Sequence, residues 1–340
     1  MLTMTKNEIT ELFTRFNNLT ALIIGDVMID AYYWGKVDRI SPEAPVPIVQ
    51  VKSKENRLGG AANVALNVKH LGAKAIIASV VGDGSKGDVF RSTLKENGFT
   101  TEGIIDSPER MTTVKTRVIS QGHHLLRIDE EITTPLSLTD ERHLLDCVKA
   151  ILERQKVDVI IFEDYNKGVL TERVISTVLS WANDRGIPTT VDPKKDNFFS
   201  YRGATLFKPN LKELREGLKL EFDKNDFKAL KSAIDTLEEQ LANKVTMVTL
   251  SELGVVANHA NEFVHEKAHQ REILDVSGAG DTVISVASLA MAAGAAPAVY
   301  AALANIAGGL VCEKVGVVPI DKENLMQEAI TKLVGEHLTL

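Results

Sequence analysis

The feature that most restricts what this chain can fold into is an alternation of two patterns along its length. Short runs rich in Val and Ile, at 21–25, 75–81, 157–163, 189–192, 205–208 and 245–250, carry no strict polar alternation. Strands buried on both faces read this way, as in a parallel sheet. Between them lie segments with a 3.6-residue apolar period, at 62–71, 89–97, 139–155, 171–185 and 224–241. Strand followed by helix followed by strand implies a doubly wound α/β sheet with helices on both faces. At 340 residues, 44% of them hydrophobic, the chain is long enough to bury a substantial core.

Two stretches break the rhythm. Residues 31–58 have no helical period and carry Pro42, Pro45 and Pro47 ahead of the alternating run Ile48, Val49, Gln50, Val51, which suits edge strands and turns. In residues 112–129, Val114, Thr116, Val118 and Ser120 alternate with their neighbours, and Gln121 with Gly122 supplies a turn, so a hairpin is expected. The two β excursions are expected to pair into a small sheet over the carboxyl ends of the main strands, where ligands of such folds bind. The expectation is a single domain over 1–340 with these two segments as its lid. Pairing of exposed lid edges between two subunits would cover them, so a homodimer through the lid strands is expected.

Residues 282–312 contain no formal charge over 31 positions, longer than the roughly 20 that cross a bilayer. They are mostly Ala and Gly, and Gly294 and Pro297 mark a turn, so two buried helices are expected and no membrane association. Residues 1–18 mix Lys6, Glu8, Glu11 and Arg15 through a weakly apolar helix, unlike a signal peptide. The formal charge of -7 repels polyanions, which argues against nucleic-acid binding and requires any phosphorylated ligand to meet a local cluster of cations. Cys147 and Cys312 lie far apart in apolar stretches, as expected of a reduced, cytoplasmic protein. His265 and His269 have the spacing of a helical metal pair, but the surrounding residues alternate like a strand.

Three motifs carry chemistry. The run DVSGAGD, Asp275 to Asp281, precedes the uncharged helix; Gly278, Ala279 and Gly280 are small enough for a phosphate to reach the backbone amides of a helix start. Asp281 beside such an anion hole is unfavourable unless it accepts a proton during phosphoryl transfer, or unless it is merely the helix N-cap. In GGAANVA, Gly59 to Ala65, paired glycines allow a hydroxylated ligand to lie against the backbone, and Asn63 both donates and accepts; simple helix packing is the other reading. In GDVMID, Gly25 to Asp30, Asp30 is expected at the carboxyl end of the first strand, gripping sugar hydroxyls or standing in solvent.

A strand-end Asp, a GGxxxN loop and a late GxGD helix start, in this order, resemble the ribokinase-like, or PfkB, carbohydrate kinases across nearly the whole chain. Within that family the runs GDVMIDAYYWG, RISPEAPVPIV, GGAANVALN, Asp164-Tyr165 with Lys167-Gly168, DPK at Asp192 to Lys194, RGATLFKPN and DVSGAGDTVI are similar to those of the D-glycero-β-D-manno-heptose-7-phosphate kinases. Ser277, where those kinases usually carry Thr, Glu163, where Ser is frequent, and Lys195, where Gly is common, depart from the pattern.

The resemblance implies a three-layer αβα sandwich with a β-sheet lid, and an ATP- and Mg2+-dependent kinase acting on a sugar phosphate on the way to ADP-heptose. It implies Asp281 as the base, with Gly278, Ala279 and Gly280 stabilising the phosphoryl group. Asp30, Gly59, Gly60, Asn63 and Asp164 would hold the sugar. Asn210 and Glu213 match an NxxE motif whose Glu organises magnesium through water. Thr249, Ser251, Gly254 and Asn305 would line the nucleotide pocket. The phosphate already on the sugar needs cations of its own, and Lys115, Arg117, Arg127, Lys167 and Lys194 are the candidates, a surface salt bridge being the other reading of each. Fused relatives continue into a nucleotidyltransferase domain, so the kinase step alone is expected of these 340 residues. A kinase of the same fold for fructose, ribose or another sugar phosphate, and a sugar- or nucleotide-binding regulator without catalysis, are the alternatives.

Overall fold

In the computed structural model, which describes residues 4–260 and 262–334, the chain order is α1 (Lys6–Phe16), β1 (Thr20–Gly25), β2 (Val27–Ile40), β3 (Pro47–Gly60), α2 (Ala61–His70), β4 (Lys74–Gly82), α3 (Ser85–Glu96) and β5 (Ile104–Ser107). It continues with β6 (Thr113–Ser120), β7 (His123–Glu130), α4 (Leu138–Arg154), β8 (Val159–Glu163), α5 (Glu172–Asp184), β9 (Thr189–Asp192), β10 (Leu206–Phe207) and α6 (Leu211–Leu218). The last elements are α7 (Phe227–Leu241), β11 (Val245–Thr249), β12 (Val255–His259), β13 (Glu262–Glu266), α8 (Ala279–Ala292), α9 (Pro297–Cys312) and α10 (Lys322–Leu333). The outermost residues of the expected domain, 1–3 and 335–340, lie outside the described residues.

Nine strands form the main sheet in the order β13-β12-β11-β10-β9-β8-β1-β4-β5, parallel from β11 to β5 and closed on one side by the antiparallel pair β12 and β13. Successive residues of β1 feed opposite layers. Ala21 and Ile23 enter a core with α1, α2, α8, α9 and α10, while Leu22 and Ile24 enter one with α4, α5, α6 and α7. This is the ribokinase-like three-layer sandwich. The uncharged stretch folds as α8 and α9 in the first core, and among the described residues no helix is long and apolar enough to cross a membrane.

The lid is a separate four-stranded sheet in the order β3-β2-β6-β7, so the two β excursions do pair with each other. Gln121 and Gly122 both take positive φ, 51° and 80°, the two-residue turn whose twist suits a hairpin. The first excursion joins the body with almost no linker: β2 starts two residues after β1 ends, and α2 follows β3 directly. Asp30 is therefore not at the end of β1. It is the fourth residue of β2, because the chain passes from body to lid without a turn, and the acid just past the end of β1 is Asp26.

Candidate active site

The site lies where the carboxyl ends of β1, β8 and β9 meet the start of α8 and the base of the lid. Asp26, buried just beyond β1, accepts backbone N–H bonds from Tyr165 (2.8 Å), Lys167 (3.1 Å) and Val169 (3.0 Å), drawing the loop after β8 across the sheet end. Burial, then the charge of Asp164, raises its pKa from 3.8 to about 6 despite those bonds. Asp164, expected to meet the sugar, is instead turned into the body. It accepts from the Asn166 amide (2.8 Å), Asn197 (3.1 Å) and the Tyr201 hydroxyl (2.7 Å), so its work is to shape the same loop.

That loop delivers Tyr165 to Asp281. The Tyr165 hydroxyl donates to Oδ1 (2.7 Å) and Asn63 Nδ2, from the first turn of α2, donates to Oδ2 (2.7 Å). Asp281 is buried, and burial raises its pKa from 3.8 to about 6; the two donors oppose the rise, while Asp192 and Asp30 add to it. Asp281 is not the cap of α8. The N-cap is Gly278, whose φ of 79° puts it in the left-handed region, and Asp281 is the third helical residue. No partner for the Gly280 or Asp281 amide is found among the described residues, so the first turn of α8 keeps N–H groups available for an anion. A side-chain carbon at Gly280 would stand 3.5 Å from Asp192 Oδ2 and 3.9 Å from Lys208 Nζ, which places the helix start directly over the charged floor of the site.

The floor is made of strand-end carboxylates and lysines. In register, Gly25, Glu163 and Asp192 close β1, β8 and β9. Asp192 Oδ2 pairs with Lys208 (2.8 Å) and Oδ1 with Lys194 (3.4 Å), and Lys194 reaches Glu213 Oε1 (2.8 Å). Burial works against the Lys194 charge, but Asp192, Glu213 and Glu163 outweigh it and hold the ammonium protonated. Burial also opposes the Asp192 charge, and the two lysines keep it ionised. Glu163 is fully buried, and among the described residues neither carboxylate oxygen is hydrogen-bonded; burial, then Asp192 and Asp281, push its pKa well up. Asn210 and Glu213 are a capping box on α6: the Glu213 amide donates to Asn210 Oδ1 and the Asn210 amide to Glu213 Oε2, both at 2.8 Å. Only Oε1 of Glu213 is left to face the site.

Mg2+ binds through few protein oxygens and keeps waters and phosphates in its shell. The arrangement fits that habit: Glu213 Oε1 and the unpartnered Glu163 oxygens are hard donors, and among the described residues no three His, Cys, Asp or Glu side chains are grouped to enclose a metal directly. His265 lies on β13 and meets the Leu253 carbonyl (2.8 Å).

The sugar side is the lid. Asp30 is ion-paired with Arg117, both buried, and a side chain at Gly59 would run into the Asp30 carboxylate. Gly60 turns the chain into α2, bringing Asn63 under the lid. Among the candidate phosphate-binding cations the structure separates several environments. Arg127 is exposed and bonded to Asp129 in its own strand; Lys167 pairs with Glu131 (2.9 Å); Lys194 belongs to the floor. Lys115 makes no salt bridge among the described residues. It stands 5.7 Å from the centre of the Tyr165 ring, with its pKa lowered by burial and then by Lys167. Tyr32, buried in the lid, accepts from the Val317 amide (3.0 Å), tying lid to body.

On the other side of the α8 start opens a cavity of about 700 Å³. Thr249, Ser251, Gly254 and Asn305 all line it, as do Ala279 and Gly280, so one end of the cavity touches the free amides beside Asp281. Ile273, Val276, Val283 and Cys312 give part of the remaining wall an apolar face fit for a planar base, and His269, Gln270 and Arg271 add polar groups to it. Sequence reasoning missed Asp26, Glu163, Asp192, Lys208 and Tyr165 as members of the site. The strand-end position of the three acids was the available signal, whereas Tyr165 had none beyond its place in the Asp164-Tyr165 pair.

A profile described as pfkB family carbohydrate kinase matches residues 19–323. The chain is 40% identical over 325 residues to the Bifunctional protein HldE of Syntrophotalea carbinolica, covering 95% of this chain and 65% of that one. Against the Bifunctional protein HldE of Helicobacter pylori it is 39% identical over 295 residues, covering 87% of this chain and 63% of that one. The chain thus spans a little under two thirds of the length of these curated relatives. Among solved structures, the phosphofructokinase-2 of Escherichia coli in complex with potassium superposes with a TM-score of 0.76 at 17% identity, over 93% of this chain and 99% of that one. The ribokinase of Arabidopsis thaliana complexed with ribose and ATP gives 0.67 at 16% identity, over 91% and 99%. These two likenesses speak for the fold.

Proposed function

This chain belongs to the pfkB family of carbohydrate kinases, and from that premise we propose that it phosphorylates the anomeric hydroxyl of D-glycero-β-D-manno-heptose 7-phosphate with ATP, giving the 1,7-bisphosphate. The observation that carries the kinase chemistry is the placement of Asp281 between the lid and the cavity, with the unpartnered α8 amides beside it. The relatives near 40% identity, named as bifunctional HldE proteins, support the heptose substrate.

The acceptor O1 lies between Asp30 on the lid and Asp281. Asp281, ionised at neutral pH because its pKa is about 6, takes the O1 proton as O1 bonds to the γ-phosphorus. The bond from that phosphorus to the β,γ-bridging oxygen breaks, and ADP leaves. A sugar hydroxyl is far less acidic than this carboxyl, so the proton moves late, within a loose transition state whose charge sits on the phosphoryl oxygens. The Gly280 and Asp281 amides and the positive end of α8 face those oxygens. Lys194 and Lys208 balance charge from the floor. Magnesium, when bound through water by Glu213 with Glu163 at hand, neutralises phosphate charge. Lys115, with Lys167 behind it, takes the phosphate on C7, and lid closure excludes water that would otherwise hydrolyse ATP. We also assign the protein to the cytoplasm and to a homodimer. Leu126 and Ile128 on β7 expose 58% and 47% of their surface, an apolar edge that a second lid would cover.

ADP release should be measured with heptose 7-phosphate, fructose 6-phosphate, fructose and ribose as acceptors. Turnover highest with heptose 7-phosphate is expected. Preference for an unphosphorylated sugar removes the substrate assignment, and tight ATP binding without turnover on any sugar favours a regulator. Sedimentation of the wild type and of a Leu126→Asp, Ile128→Asp double variant tests the dimer: a dimer unaffected by both changes removes the lid interface.

A further inference from the structure

The loop after β8 is specified more heavily than a connection requires. Four of its amides, those of Tyr165, Asn166, Lys167 and Val169, are bonded to the two buried acids Asp26 and Asp164. Asn166 and Gly168 take positive φ, 52° and 87°, to allow it. What this scaffold presents is one side chain. The Tyr165 hydroxyl lies 2.7 Å from Asp281 Oδ1, and the ring centre lies 5.7 Å from the Lys115 ammonium on the lid and 5.4 Å from the Lys194 ammonium on the floor.

We propose that Tyr165 is a positioning residue for phosphoryl transfer: its hydroxyl turns the Asp281 carboxylate toward the acceptor and keeps it ionised, while its ring links that orientation to a cation on each substrate's side. The inference rests on Asp281 being the base. The surroundings make such a donor necessary. Asp30 from the lid and Asp192 from β9 disfavour the Asp281 charge, Glu163 from β8 feels that charge in turn, Lys208 is taken up by Asp192, and among the described residues Asn63 from α2 is the one other direct side-chain donor. A donor to a buried carboxylate favours the charged form. Asp281 offers only acceptor oxygens when ionised, so the phenolic O–H is the donor of the pair. Ammonium groups within about 6 Å of a tyrosine ring attract its face, which restrains the ring from swinging away. The phosphates that draw Lys115 and Lys194 into place thereby bear on the ring that holds the base.

The test is the pH dependence of kcat/KM for heptose 7-phosphate at saturating ATP, for wild type and Tyr165→Phe, with the same substrates so that their own ionisations cancel. The acid limb reports the base in the enzyme–ATP complex before the sugar binds. Loss of one hydrogen bond to the carboxylate should move that limb upward by about one pH unit and lower the plateau about tenfold. Affinity for a non-hydrolysable ATP analogue should be unchanged. Incorporating 3-fluorotyrosine at position 165, a stronger donor of nearly the same shape, should move the limb downward, and it decides the matter alone if Tyr165→Phe does not fold. Limbs that stay in place in the folded variants overturn the proposal. Asp281→Asn, assayed in parallel, separates the two ideas: wild-type turnover in it removes the base itself, whereas its inactivity together with unmoved limbs leaves the base and removes the role of Tyr165.

Discussion

Replacing Asp281 by Asn should abolish most catalysis and at the same time make the protein more stable, but only where the native carboxyl is ionised. Burial raises the Asp281 pKa from 3.8 to about 6, with Asp192 and Asp30 pushing the same way. A carboxyl with a higher pKa in the folded than in the unfolded chain binds more protons when folded. Stability therefore falls as pH rises from about 4 to about 6 and stays low above that. At about 1.4 kcal/mol per pH unit, a shift of roughly two units amounts to about 3 kcal/mol at pH 8. Asn fits the same two partners. Asn63 Nδ2 can donate to its carbonyl oxygen, and the Tyr165 hydroxyl, able to accept as well as donate, can receive a bond from its NH2. Neutral bonds are weaker than those to a carboxylate, which leaves a gain of about 2 kcal/mol at pH 8, or about 3 °C in the melting midpoint of a chain of 340 residues. Asp26, also raised by burial, is common to both proteins and cancels in the difference, whereas Glu163, raised in part by the Asp281 charge, is relieved in the variant and adds to the gain in the same direction. Urea titrations of both proteins at pH 4.5, 6 and 8 should show a gap that widens with pH, while turnover at pH 8 falls about 10²- to 10⁴-fold. A variant less stable than the wild type at pH 8, or a gap independent of pH, would refute the reasoning.

Three further outcomes are expected. Lys115→Ala should raise KM for the phosphorylated sugar about 10- to 100-fold, the value of one charge-assisted bond, and leave KM for ATP alone; steady-state kinetics showing an equal loss with unphosphorylated heptose would detach Lys115 from the phosphate. Asp26→Ala strips the acceptor from three amides and should destabilise the fold by about 3 to 5 kcal/mol in urea unfolding while also lowering kcat, because Tyr165 loses its support. In Gly280→Ala the new methyl makes ordinary contacts with Asp192 and Lys208, so the melting midpoint should hardly move, yet kcat should drop about 100-fold as the phosphoryl group is kept from the amides.

Those parts of the fold that depend on local pattern were readable from residues alone. The both-face burial of Ala21 to Ile24, the Gln121-Gly122 turn and the Gly294–Pro297 break between α8 and α9 each follow from near neighbours. Asp281 was readable because small residues before a helix start beside an acid form a local motif. The rest depends on distant partners. Tyr165 reaches Asp281 only because its amide is held by Asp26, 139 positions earlier, and nothing near either residue encodes that bond. Asp164 looked like a ligand-facing acid and turned inward because Tyr201 and Asn197, far along the chain, take its oxygens. Asp30 was misplaced because body strand and lid strand follow one another with no turn residue to mark the passage. β12 and β13 were not separated beforehand as strands of the main sheet, since an antiparallel flank lacks the continuous apolar run of a central strand.

The abrupt passages at Asp26 and between Gly60 and Ala61 also bear on how such an enzyme can change over evolutionary time. All that meets the acceptor from above is carried on a module joined to the rest by two abrupt seams and two short loops, while the machinery that moves phosphorus stays below them. Exchanging that module between relatives, cut at those seams, would retune acceptor choice while leaving the transfer apparatus intact. A surface-loop insertion of equal length elsewhere would have no such reach.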